Sequence, residues 1–191
     1  PSGHPQRKGI RPPAWREIAK QVSPFFITGM PRSRTAWLAN WLTTDRSLCV
    51  HDPVGSVVPV IGGKLVGVSG PEVCCAWDSF RAAWPDSPWL VVTRADAKYA
   101  FKRVLSEHME IPDQFDTWWA DRLELLAQIV EDSRVLSVKF EDLDREETAR
   151  TIWRHLLPEL PFDRERWELL NDLTVTQDIW KRKARTWPLA R

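Results

Sequence analysis

The chain has 191 residues, of which 43% are hydrophobic and 28% are charged, as is usual for one globular domain. This composition excludes a wholly disordered chain, and no apolar run approaches the roughly 20 residues of a membrane span. We therefore expect a single domain over residues 1–191 with no membrane association. The number of cysteines is odd, and the spacing of Cys49, Cys74 and Cys75 does not suit a zinc site. Residues 1–8 lack the apolar stretch of a secretory signal. We therefore expect a cytoplasmic protein whose cysteines are reduced.

The net charge of +1 is unevenly distributed. Residues 1–20 carry five Lys or Arg and one acid, residues 181–191 carry five Lys or Arg and no acid, and the part between them is acidic. Two basic ends around an acidic body favour either an anionic ligand met by the ends or two solvated tails. A nucleic-acid-binding protein would have a basic body, so we expect no nucleic-acid partner.

Apolar runs that end at Gly or at polar residues indicate strands, and apolar residues three and four positions apart indicate helices. Strands alternating with helices predict a three-layer α/β fold with a mostly parallel central sheet. In chain order the pattern predicts a helix over 13–22, a strand over 25–28, a loop over 29–34, a helix over 35–44, a strand over 48–50, a loop over 53–63, a strand over 65–68, a helix over 71–84, a strand over 89–93, helices over 95–109 and 112–131, a strand over 135–140, and helices over 145–157 and 163–172.

Polar residues follow the predicted strands, and ligands of open parallel sheets bind beyond the carboxyl ends of the strands. We therefore expect a site built from these residues, which are 29–35 after the first strand, His51 and Asp52 after the second, Ser69 and Gly70 after the third, Arg94 after the fourth, and Glu141 and Asp142 after the last.

The loop after the first strand has the residues of an anion-binding site. A short Gly/Pro/Ser loop leads into a helix, whose first N–H groups and dipole favour an anion, and Arg32, Ser33, Arg34 and Thr35 add side-chain donors. The loop is not the ATP-binding G-x-x-x-x-G-K-[ST] motif, because Arg34, Thr35 and Ala36 stand where that motif has Gly, Lys and Ser/Thr. An enzyme that uses ATP and Mg²⁺ is therefore disfavoured.

Residues 26–38, FITGMPRSRTAWL, closely resemble the 5′-phosphosulfate loop of sulfotransferases, roughly G-x-P-[RK]-S-G-T-[ST]-W-L. Arg34 stands where that family usually has Gly, and Ala36 stands where it has a second hydroxyl. The matching residues are Pro31, Arg32, Ser33, Thr35, Trp37 and Leu38.

Three further segments are similar to sulfotransferase motifs. Residues 90–96 look like the family's V-x-R-D-P segment, which implies that Arg94 holds the 3′-phosphate of the donor, and Lys102 stands where the family has a second, serine ligand. Residues 138–143 resemble a strand ending in Y-E-D-L, whose acids are usually structural. The run Lys181, Arg182 and Lys183 loosely resembles the basic segment that closes over the nucleotide.

The resemblance implies a P-loop NTPase-like sulfotransferase fold and transfer of a sulfuryl group from 3′-phosphoadenosine 5′-phosphosulfate (PAPS) to a hydroxyl or amine, releasing 3′-phosphoadenosine 5′-phosphate (PAP). It implies that residues 31–36, with Arg94, Lys102 and residues 181–183, bind the donor, and that Arg32 stabilises the leaving group without a metal.

The acceptor must lose a proton, and His51 is favoured as the base because an imidazole titrates near working pH, with Asp52 as orienting group or as an alternative base. The acceptor is expected to be a small molecule or a glycan, and the oligomeric state stays open. Two alternatives remain, a non-catalytic nucleotide- or phosphate-binding relative of the fold and an atypical P-loop kinase.

Overall fold

The computed structural model describes residues 23–52, 64–107 and 110–172. The predicted helix over 13–22, the loop over 53–63 and the basic segments 1–20 and 181–191 lie outside the described residues. The strands are β1 (Phe25–Gly29), β2 (Ser47–His51), β3 (Leu65–Ser69), β4 (Trp89–Thr93) and β5 (Val135–Lys139). The helices are α1 (Thr35–Trp41), α2 (Trp77–Ala83), α3 (Ala97–Ser106), α4 (Phe115–Val130), α5 (Glu146–Leu156) and α6 (Arg164–Asp172), with 3₁₀ segments at Pro71–Ala76 and Phe140–Asp142.

The predicted three-layer α/β fold is confirmed. The five strands form one sheet in the order β2-β3-β1-β4-β5, and each neighbouring pair is parallel. Within the described residues, no helix combines the length and the apolar composition that a membrane crossing requires.

Both faces of the sheet are covered, which explains why its central strands are continuous apolar runs. Successive side chains of a strand point to opposite faces. Ile27 and Leu90 therefore pack with residues of α1, α5 and α6, whereas Phe26 and Trp89 pack on the other face with Phe80 of α2. On that second face, residues of α3 and α4 complete the layer around Val91.

The predicted helix over 71–84 is divided in the structure into a 3₁₀ segment and α2. The carbonyl oxygen of Pro71 accepts hydrogen bonds from Arg122 Nη1 at 3.2 Å and from Cys74 Sγ at 3.1 Å. These side-chain donors occupy an acceptor that a regular α-helix would give to a backbone N–H four residues on, which is consistent with the tighter first turns.

The strand order places the topological switch point at β1. From this central strand the chain proceeds to β2 and β3 on one side and to β4 and β5 on the other. The crevice beyond the carboxyl end of β1 is the expected ligand position in such sheets, and the loop with Arg32 starts there.

Candidate functional site

The loop between β1 and α1 turns tightly over the end of the sheet. Gly29 permits this turn because a Cβ at that position would lie 2.5 Å from the carbonyl oxygen of Val92 on β4. The Ser33 amide then donates a hydrogen bond to the Met30 carbonyl oxygen at 3.2 Å. Arg32 has left-handed backbone, with φ of 72°, and is exposed. The loop thus brings an exposed arginine to the switch point of the sheet.

The start of α1 has donors that no side chain satisfies within residues 23–52, 64–107 and 110–172. Arg34, at the N-terminal cap, has left-handed backbone with φ of 59°, and among the described residues no side chain caps the first-turn N–H groups. Ser33 is fully buried, and its hydroxyl has no hydrogen-bond partner among the described residues. Buried hydroxyls in proteins are usually hydrogen-bonded, so these donors fit an anionic group.

Pro31 and Ala36, two of the predicted donor-binding residues, have no polar side-chain atom. They can therefore contribute to the site only through the backbone and through packing. Pro31 is half-buried and Ala36 is exposed in the first turn of α1. Ala36 therefore offers no side-chain hydroxyl to a bound anion.

The side chains of Thr35, His51 and Asp52 lie in a row, with the imidazole of His51 between the other two. His51 Nδ1 lies 3.2 Å from a carboxylate oxygen of Asp52, and His51 Nε2 lies 3.2 Å from the hydroxyl oxygen of Thr35. A carboxylate only accepts hydrogen bonds, so the hydrogen of neutral His51 is assigned to Nδ1 and its Nε2 accepts from Thr35. The structure therefore brings His51 against the first residue of α1 and Asp52 against His51.

Sequence reasoning placed Ser69 and Gly70 at this edge but gave them no role. Ser69 Oγ donates a hydrogen bond to the Thr35 carbonyl oxygen at 2.8 Å, and its own carbonyl oxygen accepts from the Asp52 amide at 2.8 Å. Gly70 lies against the carboxylate of Asp52, and a Cβ built on Gly70 would be 2.3 Å from the carboxylate oxygen Oδ1. The only sequence signal for these contacts was the position of both residues at the end of a strand.

Arg94 lies beside the loop and is paired with Asp96. Its Nε and Nη2 donate to the two carboxylate oxygens of Asp96, and its Nη1 donates to the Arg32 carbonyl oxygen at 2.6 Å. The hydrogen bonds from Arg94 hold the pKa of the Asp96 carboxyl below its usual value. Three of the five guanidinium N–H groups are used in these bonds, which leaves one on each terminal nitrogen for a further acceptor.

Arg34 and Arg94 contact the same aromatic ring. Their guanidinium carbons lie 5.2 Å and 4.1 Å from the centroid of Phe140, and that of Arg34 lies 5.7 Å from Trp37. Arg34 also donates to the side-chain oxygen of Asn171 in α6 at 3.5 Å. The side chain that replaces the usual glycine therefore lies over aromatic rings at the carboxyl edge.

Lys102 is engaged with a partner that the sequence did not reveal. Its Nζ lies 3.0 Å from a carboxylate oxygen of Asp116 on α4, and Lys98 lies 3.1 Å from the same oxygen. Hydrogen bonds from Lys102 and Lys98 lower the pKa of Asp116. The structure does not bring Lys102 into contact with the loop, and Lys181, Arg182 and Lys183 lie outside the described residues.

In the described part of the chain, no group of three or more His, Cys, Asp or Glu side chains has an arrangement that could hold a metal ion.

Comparisons with known proteins identify the fold. No protein-family model matches the chain, and no curated protein matches it in sequence. Among solved structures, mouse sulfotransferase SULT7A1 in complex with PAP is similar, with a TM-score of 0.52 and 10% identity. The similarity covers 78% of this chain and 62% of that protein, so the chain spans less than two thirds of its length. The chain therefore has the sulfotransferase fold.

Proposed function

We propose that the protein transfers a sulfuryl group from PAPS to a hydroxyl or amine of a small-molecule or glycan acceptor. The observation that carries the proposal is the loop after β1, which combines the exposed Arg32, the buried hydroxyl of Ser33 and the first amides of α1 at the switch point of a sulfotransferase fold. Mouse SULT7A1, which has a similar fold, was crystallised with the desulfated donor PAP.

PAPS supplies the sulfuryl group, and its phosphate is the leaving group. In this proposal the amides at the start of α1 and the Ser33 hydroxyl donate to the 5′-phosphate oxygens, and the Arg32 guanidinium stabilises the negative charge that collects there. Arg32 is suited to this because it is exposed and its charge is not neutralised by an ion pair within the described residues.

Arg94 is proposed to bind the 3′-phosphate through its two remaining N–H groups. Asp96 and the Arg32 carbonyl oxygen fix the guanidinium, so little side-chain entropy is lost on binding. Lys102 and the segment 181–183 stay as further candidate phosphate ligands, and Lys102 would have to leave Asp116 to act as one.

His51 is proposed as the general base. The Asp52 carboxylate, 3.2 Å from Nδ1, favours the tautomer with the hydrogen on Nδ1, and in that tautomer Nε2 keeps its lone pair and accepts from the Thr35 hydroxyl. An acceptor hydroxyl that takes the place of Thr35 at Nε2 would give up its proton there. The side chain of His51 is 31% exposed, so an acceptor can reach the ring.

The binding part of the proposal is tested by thermal unfolding with PAP and with ATP–Mg²⁺. A ligand at 100 times its Kd stabilises by about 2.7 kcal/mol, which for a chain of this size raises the Tm by roughly 5–10 °C. We expect PAP to give this shift and ATP–Mg²⁺ to give none. A shift with ATP–Mg²⁺ alone would favour the kinase alternative.

The catalytic part is tested with sulfur-labelled PAPS and a panel of phenols, alcohols, amines and glycans. We expect His51→Ala to lower kcat by roughly 10²–10⁴ with the affinity for PAP nearly unchanged. Asp52→Asn removes only the orienting carboxylate and leaves the base in place, so it is expected to have a smaller effect. If Asp52→Asn abolished transfer while His51→Ala retained it, the base would be the carboxylate.

A second candidate function is nucleotide binding without transfer. It is favoured by Arg34 and Ala36, which depart from the loop pattern, and by the pairing of Arg94 with Asp96. Stabilisation by PAP with no transfer to any member of the panel would support this function over the first.

A further inference from the structure

The carboxylate of Asp52 lies in space that exists only because residue 70 has no side chain. A Cβ built on Gly70 would lie 2.3 Å from Asp52 Oδ1, whereas the amide nitrogen and the carboxylate carbon of Asp52 would be at 3.5 Å, an ordinary contact. Among the described residues, the obstacle to a side chain is therefore the carboxylate oxygen alone.

The backbone of Gly70 does not itself require glycine. Its φ of 161° and ψ of 160° are extended backbone, which other residues adopt. An alanine at this position would therefore leave the main chain in place and would displace the Asp52 carboxylate.

Asp52 cannot avoid such a displacement by moving its backbone. Its amide donates to the Ser69 carbonyl oxygen at 2.8 Å, and its own backbone is left-handed with φ of 46°. Because the main chain is held on this side, a displaced carboxylate has to rotate about its side-chain bonds. Rotation takes it away from His51 Nδ1, which is now 3.2 Å from Oδ2.

We propose that Gly70 is a positioning residue, which fixes the tautomer of His51 by leaving room for the Asp52 carboxylate. With the carboxylate displaced, the imidazole is free to carry its hydrogen on Nε2 and to donate it to the Thr35 hydroxyl. An Nε2 that carries hydrogen cannot accept a proton from an acceptor substrate. This inference rests on the proposed function for its catalytic meaning, but the coupling of residues 70, 52 and 51 does not depend on it.

The test is the tautomer of His51, measured by ¹⁵N and ¹³C NMR of the imidazole on the full chain at about pH 8.5, where ordinary imidazoles are neutral. His51→Gln assigns the signal. Asp52→Gly serves as the reference variant because glycine tolerates the left-handed backbone and removes the carboxylate. Cys75→Ser, an exposed change in the adjoining 3₁₀ segment, is the control that should leave the tautomer unchanged.

We expect the hydrogen on Nδ1 in the wild type and a shift to Nε2 in Gly70→Ala, equal to the shift in Asp52→Gly. Combining the two changes should add nothing further, since both act through the same carboxylate. An unchanged tautomer in Gly70→Ala, or a further change in the double variant, would overturn the proposal. If Gly70→Ala alone fails to fold, the double variant, which lacks the clash, must fold and match Asp52→Gly.

Activity separates this inference from the proposed function. If the wild type transfers sulfuryl groups, Gly70→Ala should lower kcat by the same factor as Asp52→Gly, and in triad enzymes loss of tautomer control costs up to about 10⁴. If the wild type transfers nothing but Gly70→Ala still shifts the tautomer, the proposed function fails and the positioning role of Gly70 stands.

Discussion

Arg32 offers a substitution whose effects on stability and on catalysis have opposite signs. Its backbone is left-handed, which costs an L-residue roughly 1–2 kcal/mol, and its exposed side chain is not part of the core. Arg32→Gly removes this cost, but the greater conformational freedom of glycine in the unfolded chain lowers the free energy of unfolding by about 0.5–1 kcal/mol. We therefore expect a gain of about 0.5–1 kcal/mol in the free energy of unfolding, or a few degrees in Tm.

The same change should suppress transfer. A lost donor of this kind typically costs about 10²–10³ in kcat, because the charge that forms on the leaving group is no longer stabilised. Arg32→Ala is the matched control, since it removes the guanidinium but keeps a left-handed L-residue, so it should lose activity without gaining stability. Urea unfolding and the labelled-PAPS assay measure the two effects. A Gly variant less stable than the Ala variant would refute the backbone argument, and near-normal turnover in both would refute the role of Arg32.

Three other outcomes follow from single side chains. Arg94→Gln should weaken binding of PAP by tenfold or more, as expected for a lost charge-assisted hydrogen bond of about 1.5–3 kcal/mol. It should weaken binding of adenosine 5′-phosphosulfate, which has no 3′-phosphate, by less. Equal losses of affinity for both ligands would show that Arg94 does not bind the 3′-phosphate. Burial lowers the pKa of His155 from 6.5, so on acidification the unfolded chain binds this proton before the folded chain does, and the free energy of unfolding should fall as the pH drops below 6.5. In His155→Gln the difference in stability between pH 7.5 and pH 5, measured by denaturation curves, should be smaller. The exposed Cys75 should react with a thiol reagent in the native protein while Cys49, whose pKa is raised by burial, should react only after unfolding, and rapid modification of Cys49 would contradict the fold.

The sequence predicted the strands well because each is a short apolar run with a clear end. The run from Phe25 stops at Gly29, and the run from Trp89 to Thr93 is followed by Arg94, so the structure agrees closely in both places. The position of the loop at the carboxyl edge of the sheet also followed from the pattern, because ligands of open parallel sheets bind beyond the ends of the strands.

The contacts within the candidate site could not be predicted in the same way. The contacts of Asp52 with His51 and Gly70 depend on the register of β2 against β3, in which His51 pairs with Ser69. Sequence pattern does not specify the strand order that makes these two strands neighbours. Likewise, the pairing of Lys102 with Asp116 joins α3 to α4, and no local spacing indicates it.

The most direct measurement of the central claim is a crystal structure of the protein with PAP bound. We expect the 5′-phosphate to lie along residues 29–36, with Ser33 Oγ and the first amides of α1 as donors, and the 3′-phosphate to contact Arg94. PAP bound elsewhere, or bound along the loop in the reverse direction with its 3′-phosphate at Ser33, would contradict the account.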